Sequence, residues 1–146
     1  MPACRKVFAK NEVNSHDMTK QEHIQYWQTE AERNWQTALY LKDGKQNVMA
    51  LFMLHLTVEK LFKAHWVKDN GDNYPPRTHD LQYLHNQTDL DVPADDYDYL
   101  AVVNQWSIDT RYPDYKNKIY AIATDDYVAN QVRKVEKLKL WLLGKL

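Results

Sequence analysis

Apolar positions recur every three or four residues through most of the chain, which is the period of an amphipathic helix. Ile24, Trp27, Ala31, Trp35, Ala38 and Leu41 trace one such stripe. Thr19 stands before it as an N-cap, with Glu22 three positions later to complete a capping box, and Gly44 closes it. A second helix is predicted from about Gln46 to Asn70, ended by Gly71. Val48, Leu51, Phe52, Leu54, Val58, Leu61, Phe62 and Trp66 nearly encircle it, so it belongs at the centre of a bundle. One polar row interrupts the apolar surface: His55, Glu59 and Lys63, spaced i, i+4 and i+8 and therefore stacked on a single face.

The segment DNGDNYPPRT (69–78) has the composition of a turn. Thr78 is read as the cap of a short helix over 79–87, and Pro93 as the first turn of the helix after it. Tyr97, Leu100, Val103, Ser107 and Ile108 mark the inner face of that helix, which must end before Pro113. Residues 111–120 read as a loop or short turn. Thr124 caps the last helix, Asp125 and Asp126 suit its positive end, and Val128, Val132, Val135, Leu138 and Leu142 form its stripe. No alternating apolar–polar run competes with these helices. The expectation is an all-α fold: an up-down antiparallel helical bundle of four longer helices plus a short one. Residues 1–17 are polar and aperiodic and read as a flexible N-terminal arm, leaving 18–146 as a single bundle domain.

Composition narrows the chemistry. A chain of 146 residues suits one domain, and 44% hydrophobic with 27% charged residues suits a globular one. Lys and Arg total 19 against 20 Asp and Glu, so no global basic field draws the chain to nucleic acid or membrane. The single cysteine, Cys4, excludes an internal disulfide and a Cys-rich zinc site. Three glycines exclude a Gly-rich phosphate loop, and no compact metal-ligand spacing occurs, so neither metal nor cofactor is expected. The first residues hold no apolar signal core, and the apolar run 48–58 is too short for a bilayer and broken by His55. A reducing compartment, most simply the cytoplasm, is expected, with no membrane partner.

Three places carry candidate chemistry. His55 is either a polar residue at a helix seam or a ligand group, and His79 with Asp80 opens the short helix. Glu59 and Lys63 form either a solvated row or a buried pair that needs further hydrogen bonds. The densest cluster is DTRYPDY (109–115). Arg111 there can hold a phosphate bidentately, with Tyr112 and Tyr115 to stack on a base and Asp114 beside them. In the alternative, Arg111 pairs with a carboxylate and the tyrosines fill the end of the bundle. Aromatic residues in excess of one small core hint at a dimer face.

Three segments, in order, resemble the HEPN domain family. They are HLTVEKLFKAHWV (55–67), PPRTHDLQYL (75–84) and DTRYPDY (109–115), and the resemblance covers roughly residues 20–143. It implies a bundle of four or five helices, usually a homodimer. It also implies one of two activities. Many members are metal-independent ribonucleases, often toxins, with an Arg followed after four to six residues by His. Others are non-catalytic, bind nucleotides or RNA, or pair with a minimal nucleotidyltransferase. Counting from Arg111, the positions due to supply the His are Lys116, Asn117 and Lys118. The expectation is therefore a non-catalytic nucleotide-, RNA- or partner-binding module, associated with a minimal nucleotidyltransferase or a toxin–antitoxin-like system. Its ligand groups would be Arg111, His79, Asp80 and the His55–Glu59–Lys63 row. The alternative is a ribonuclease toxin with a degenerate motif, in which Arg111 holds the scissile phosphate and His79 or Tyr120 replaces the missing base.

Overall fold

A computed structural model describes residues 18–112 and 117–146. The expected arm at 1–17, with Cys4, lies outside the described residues, as do Pro113, Asp114, Tyr115 and Lys116. Six helices make up the fold: α1 (Lys20–Asp43), α2 (Asn47–Asp69), α3 (Leu81–Asn86), α4 (Ala94–Arg111), α5 (Lys118–Ile122) and α6 (Asp125–Gly144). No strand occurs among the described residues, and the all-α expectation holds. None of these helices is long and apolar enough to cross a membrane.

Local chemistry sets the ends of α1. Thr19 Oγ1 accepts the Glu22 backbone N–H at 3.1 Å, and the Thr19 hydroxyl meets the Glu22 carboxylate at 3.3 Å. At the other end Gly44 is the C-cap, but with φ −81° it uses none of glycine's freedom. The left-handed residue of this turn is Lys45, at φ 63°. Its ammonium pairs with Asp125 at 2.8 Å, which ties the turn to the start of α6. Asn47 reinforces the tie by donating to Asp125 at 2.8 Å and to the Ala123 carbonyl at 3.0 Å.

The nearly all-round apolar surface of α2 takes the centre, with α1, α3, α4 and α6 packed about it. Leu51, Leu54, Val58, Leu61, Phe62 and Val67 are fully buried. The C-terminal carbonyls of α2 have no partners within the helix. Lys20 supplies one: its Nζ donates to Val67 O at 2.7 Å, Asn70 O at 2.8 Å and Asp72 O at 3.3 Å. His65, also fully buried, donates from Nε2 to Leu142 O at 2.8 Å, joining α2 to the last turns of α6.

Four expectations need correction. The short helix starts at Leu81 with Asp80 as its cap, not at His79 behind Thr78. Asp80 Oδ1 accepts from the N–H groups of Gln82 and Tyr83, whereas the Thr78 hydroxyl accepts only from Asp80 N in a tight turn. Pro93 is the cap of α4 and lies outside its first turn. Within α4, Ile108, expected on the inner face, is 55% exposed, and Trp106 is buried instead. The Trp106 indole donates to the Tyr127 hydroxyl at 3.2 Å, an anchor that draws the ring inward. Last, residues 111–120 are not all loop, since α5 occupies Lys118–Ile122 and buries Ile119.

Candidate functional site

The polar row of α2 is buried: His55 is 0%, Glu59 3% and Lys63 8% exposed. A charge in such surroundings must be paired and hydrogen-bonded. Glu59 meets this requirement with both oxygens. Oε2 accepts from Lys63 Nζ at 3.2 Å, and Oε1 accepts from His79 Nδ1 at 2.6 Å. Lys63 is further held with its Nζ 5.4 Å from the centroid of the Trp27 ring, a contact between α2 and α1.

His79 reaches Glu59 because it sits in the loop before α3. Two contacts from α2 hold it. Glu59 fixes the imidazole, and His55 fixes the backbone by donating from Nε2 to His79 O at 3.0 Å. An ionised carboxylate only accepts hydrogen bonds, so the proton on His79 belongs to Nδ1. Nε2 is then the free nitrogen, on a side chain that is 52% exposed. The result is a carboxylate-oriented imidazole whose outer nitrogen carries a lone pair.

His55 is neutral. Burial pushes its pKa down to about 4, against smaller upward pulls from Glu59 and from the His79 carbonyl; the positive charge of Arg111 acts in the downward direction. Its Nδ1 has no partner and lies 3.9 Å from Glu59 Oε1.

Arg111 is the last residue of α4. Its guanidinium lies over the Phe52 ring, 5.0 Å from the centroid, and makes no ion pair among the described residues. Phe52 precedes His55 by one helical turn on α2, so Arg111 lies toward the His55 end of the cluster. Asp80 is engaged differently. Besides capping α3, its Oδ1 accepts from Asn104 Nδ2 at 3.1 Å, and Asn104 Oδ1 accepts the Leu81 N–H at 2.9 Å. Asp80 and Asn104 therefore lock α3 to α4.

The sequence-derived candidates separate by position. His55, Glu59, Lys63 and His79 form one connected cluster with Arg111 close by, and Asp80 adjoins it with its charge spent on the helix cap. Tyr112 and Tyr120 are exposed, on either side of the segment that holds Asp114 and Tyr115. Sequence reasoning missed the supporting residues. Asn104 carries no signal in the sequence, while Phe52 and Trp27 read only as core. Among the described residues, no group of three or more His, Cys, Asp or Glu could hold a metal.

The cluster offers two polar groups that its own hydrogen bonds do not use, the Arg111 guanidinium and the outer nitrogen of His79. Comparison with curated proteins gives no match, and comparison with solved structures gives none either. The HEPN domain model matches residues 24–145. That span contains all three segments of the resemblance and every helix from Ile24 onward, and the chain belongs to the HEPN domain family.

Proposed function

We propose that this HEPN domain binds the phosphate of a nucleotide or RNA at the face formed by Arg111 and His79. The observation that carries the reading is the state of Arg111. It is stacked on Phe52, one helical turn before the buried His55 on α2, and has no ion pair among the described residues. A guanidinium held on an aromatic face is preorganised to bind phosphate bidentately. The test is fluorescence anisotropy with a labelled oligoribonucleotide. Arg111→Ala is expected to weaken binding by about tenfold, equivalent to about 1.4 kcal/mol. Equal affinity of the two proteins overturns the reading.

The Glu59–His79 hydrogen bond favours a second reading, metal-independent RNA cleavage. In it His79 Nε2 takes the proton of the 2′-hydroxyl, in place of the His that the motif lacks. Labelled RNA incubated with EDTA tests it. Cleavage that disappears in His79→Gln supports catalysis, and an inert wild type leaves binding alone.

Family membership supports a homodimer, and it supports a minimal nucleotidyltransferase as protein partner in a toxin–antitoxin-like system. Sedimentation of the purified chain tests the first, and co-purification with such a partner the second.

A further inference from the structure

We infer that the outward face of α6 is a track for single-stranded RNA, and that the cavity beside Trp141 at its end takes one base. RNA as the ligand class rests on the reading above; the surface is a second one, separate from Arg111.

The helix period sorts the charges of α6. Between Val128 and Gly144 it carries four cations, Arg133, Lys134, Lys137 and Lys139, and one carboxylate, Glu136. Lys139 is on the inner face, where it pairs with Glu32 at 2.9 Å and lies over the Trp35 ring. Arg133, Lys134 and Lys137 share the opposite face at i, i+1 and i+4. All three are exposed, and none makes an ion pair among the described residues. Like charges one turn apart repel, a cost that an anion laid across them removes. The whole chain carries a net charge of −1, so this face is a local concentration of positive charge. Lys134 Nζ lies 5.5 Å from the centroid of the Tyr99 ring, and Tyr99 precedes Arg111 by about 18 Å along α4.

Trp141 follows Lys137 by one turn and continues the face. Half-buried, it shares a cavity of about 250 Å³ with Leu90, Lys145 and the carboxylates of Asp69, Asp89 and Asp91. Those carboxylates repel phosphate and accept N–H groups, so the phosphates stay on the cations and a base, with its amino and imino donors, enters the cavity. Lys145 Nζ lies over the Trp141 ring, 5.4 Å from its centroid, a contact that a stacked base would replace.

The other anionic partners fit less well. A membrane needs an apolar helix face to insert, and that of α6, with Val128, Val135, Leu138 and Leu142, is spent on the core. An acidic protein segment would match the cations but leave the indole and its cavity unused. An RNA strand uses both.

The experiment is fluorescence anisotropy with a labelled short single-stranded RNA over a salt series. The proteins are wild type, the triple variant Arg133→Gln, Lys134→Gln, Lys137→Gln, and Arg111→Ala. The triple variant is expected to bind about tenfold or more weakly. Its plot of log affinity against log salt should be shallower by about 2, because each phosphate contact on a single strand contributes about 0.7. An abasic strand of equal length and charge is expected to bind wild type about tenfold more weakly than RNA. Thermal melts confirm that the triple variant folds.

Wild-type affinity and salt slope in the triple variant overturn the track; if Arg111→Ala weakens binding in the same series, the reading above still stands. The converse pattern supports the track and removes Arg111. Equal binding of the abasic strand overturns the base cavity. Poly-glutamate of equal charge that displaces the label as well as unlabelled RNA does overturns the assignment to RNA in favour of an acidic protein. No binding of RNA by wild type overturns this inference and the reading above together.

Discussion

Lys20 Nζ lies 2.7 Å from the carbonyl oxygen of Val67, so the first residue of α1 closes the last turn of α2. Two more carbonyls, of Asn70 and Asp72, share the same ammonium. Cations favour helix C-termini, and a hydrogen bond to a charged group contributes about 1.5–3 kcal/mol. Lys20→Met keeps the aliphatic stem and is expected to cost about that much. Urea unfolding checks it, and an unchanged midpoint refutes the capping role.

Glu59 is the member of the cluster whose loss should cost most. Glu59→Ala leaves Lys63 buried without its carboxylate, and breaking one half of a buried pair costs about 3–5 kcal/mol. The double variant Glu59→Ala, Lys63→Met removes the stranded charge and is expected to recover much of the loss. Denaturation of the two single variants and the double gives the coupling energy; additive losses would show that the pair is not coupled.

Acid should weaken the fold in a defined window. His55 goes from an ordinary 6.5 to about 4 on folding, so the unfolded chain binds the extra proton between those values. The stabilisation is complete above pH 6.5 and is lost as pH falls through 4, by about 3 kcal/mol in all. Burial lowers His65 as well, and its contribution has the same sign. His55→Gln keeps a donor for the His79 carbonyl and cannot titrate. Unfolding measured from pH 7 to pH 4 is expected to fall less steeply in this variant than in the wild type. Parallel curves would contradict the assignment.

Arg111→Ala is expected to separate binding from stability. Its guanidinium lies over the Phe52 ring, and a partly exposed cation–π contact contributes about 0.5–1 kcal/mol. The melting temperature should drop by only a few degrees while phosphate affinity falls. A large loss of stability would reassign Arg111 to the architecture.

Gly44→Ala is expected to stabilise the chain. Gly44 has an ordinary negative φ, and an added Cβ meets nothing nearer than Tyr40 O at 3.5 Å. Such a replacement restricts the unfolded chain and adds about 0.4–1 kcal/mol. Differential scanning calorimetry reads the sign directly.

Much of this was legible in the residues, and the misses have physical causes. Thr19 and Thr124 are each the cap of the helix that follows, because an apolar stripe begins directly after them. At 78–80 two good cap residues stand two apart, and local spacing does not choose between them. Asp80 wins through Asn104, whose amide comes from a distant helix. The α5 helix is hidden because nothing announces it. Its cap position, Asn117, is left-handed at φ 50° and makes no side-chain cap bond, and one buried side chain gives no period. The row His55–Glu59–Lys63 was visible as a helical face. Its burial was not, because that depends on what α1 and the loop before α3 lay over it.

The turn at Gly44–Gln46 and the Lys20 clamp close the α1–α2 pair at opposite ends. The pair is therefore a hairpin whose partners are neighbours in the chain, and joining them requires only a short loop to close. The His65–Leu142 and Asn47–Asp125 contacts span more than seventy residues and must wait for α6. Assembly should proceed in that order, with the hairpin in place before α6 docks. The polar cluster depends on the hairpin and on the segment that follows it. The binding face would then acquire its buried foundation early, and Arg111 would be added to a surface already built.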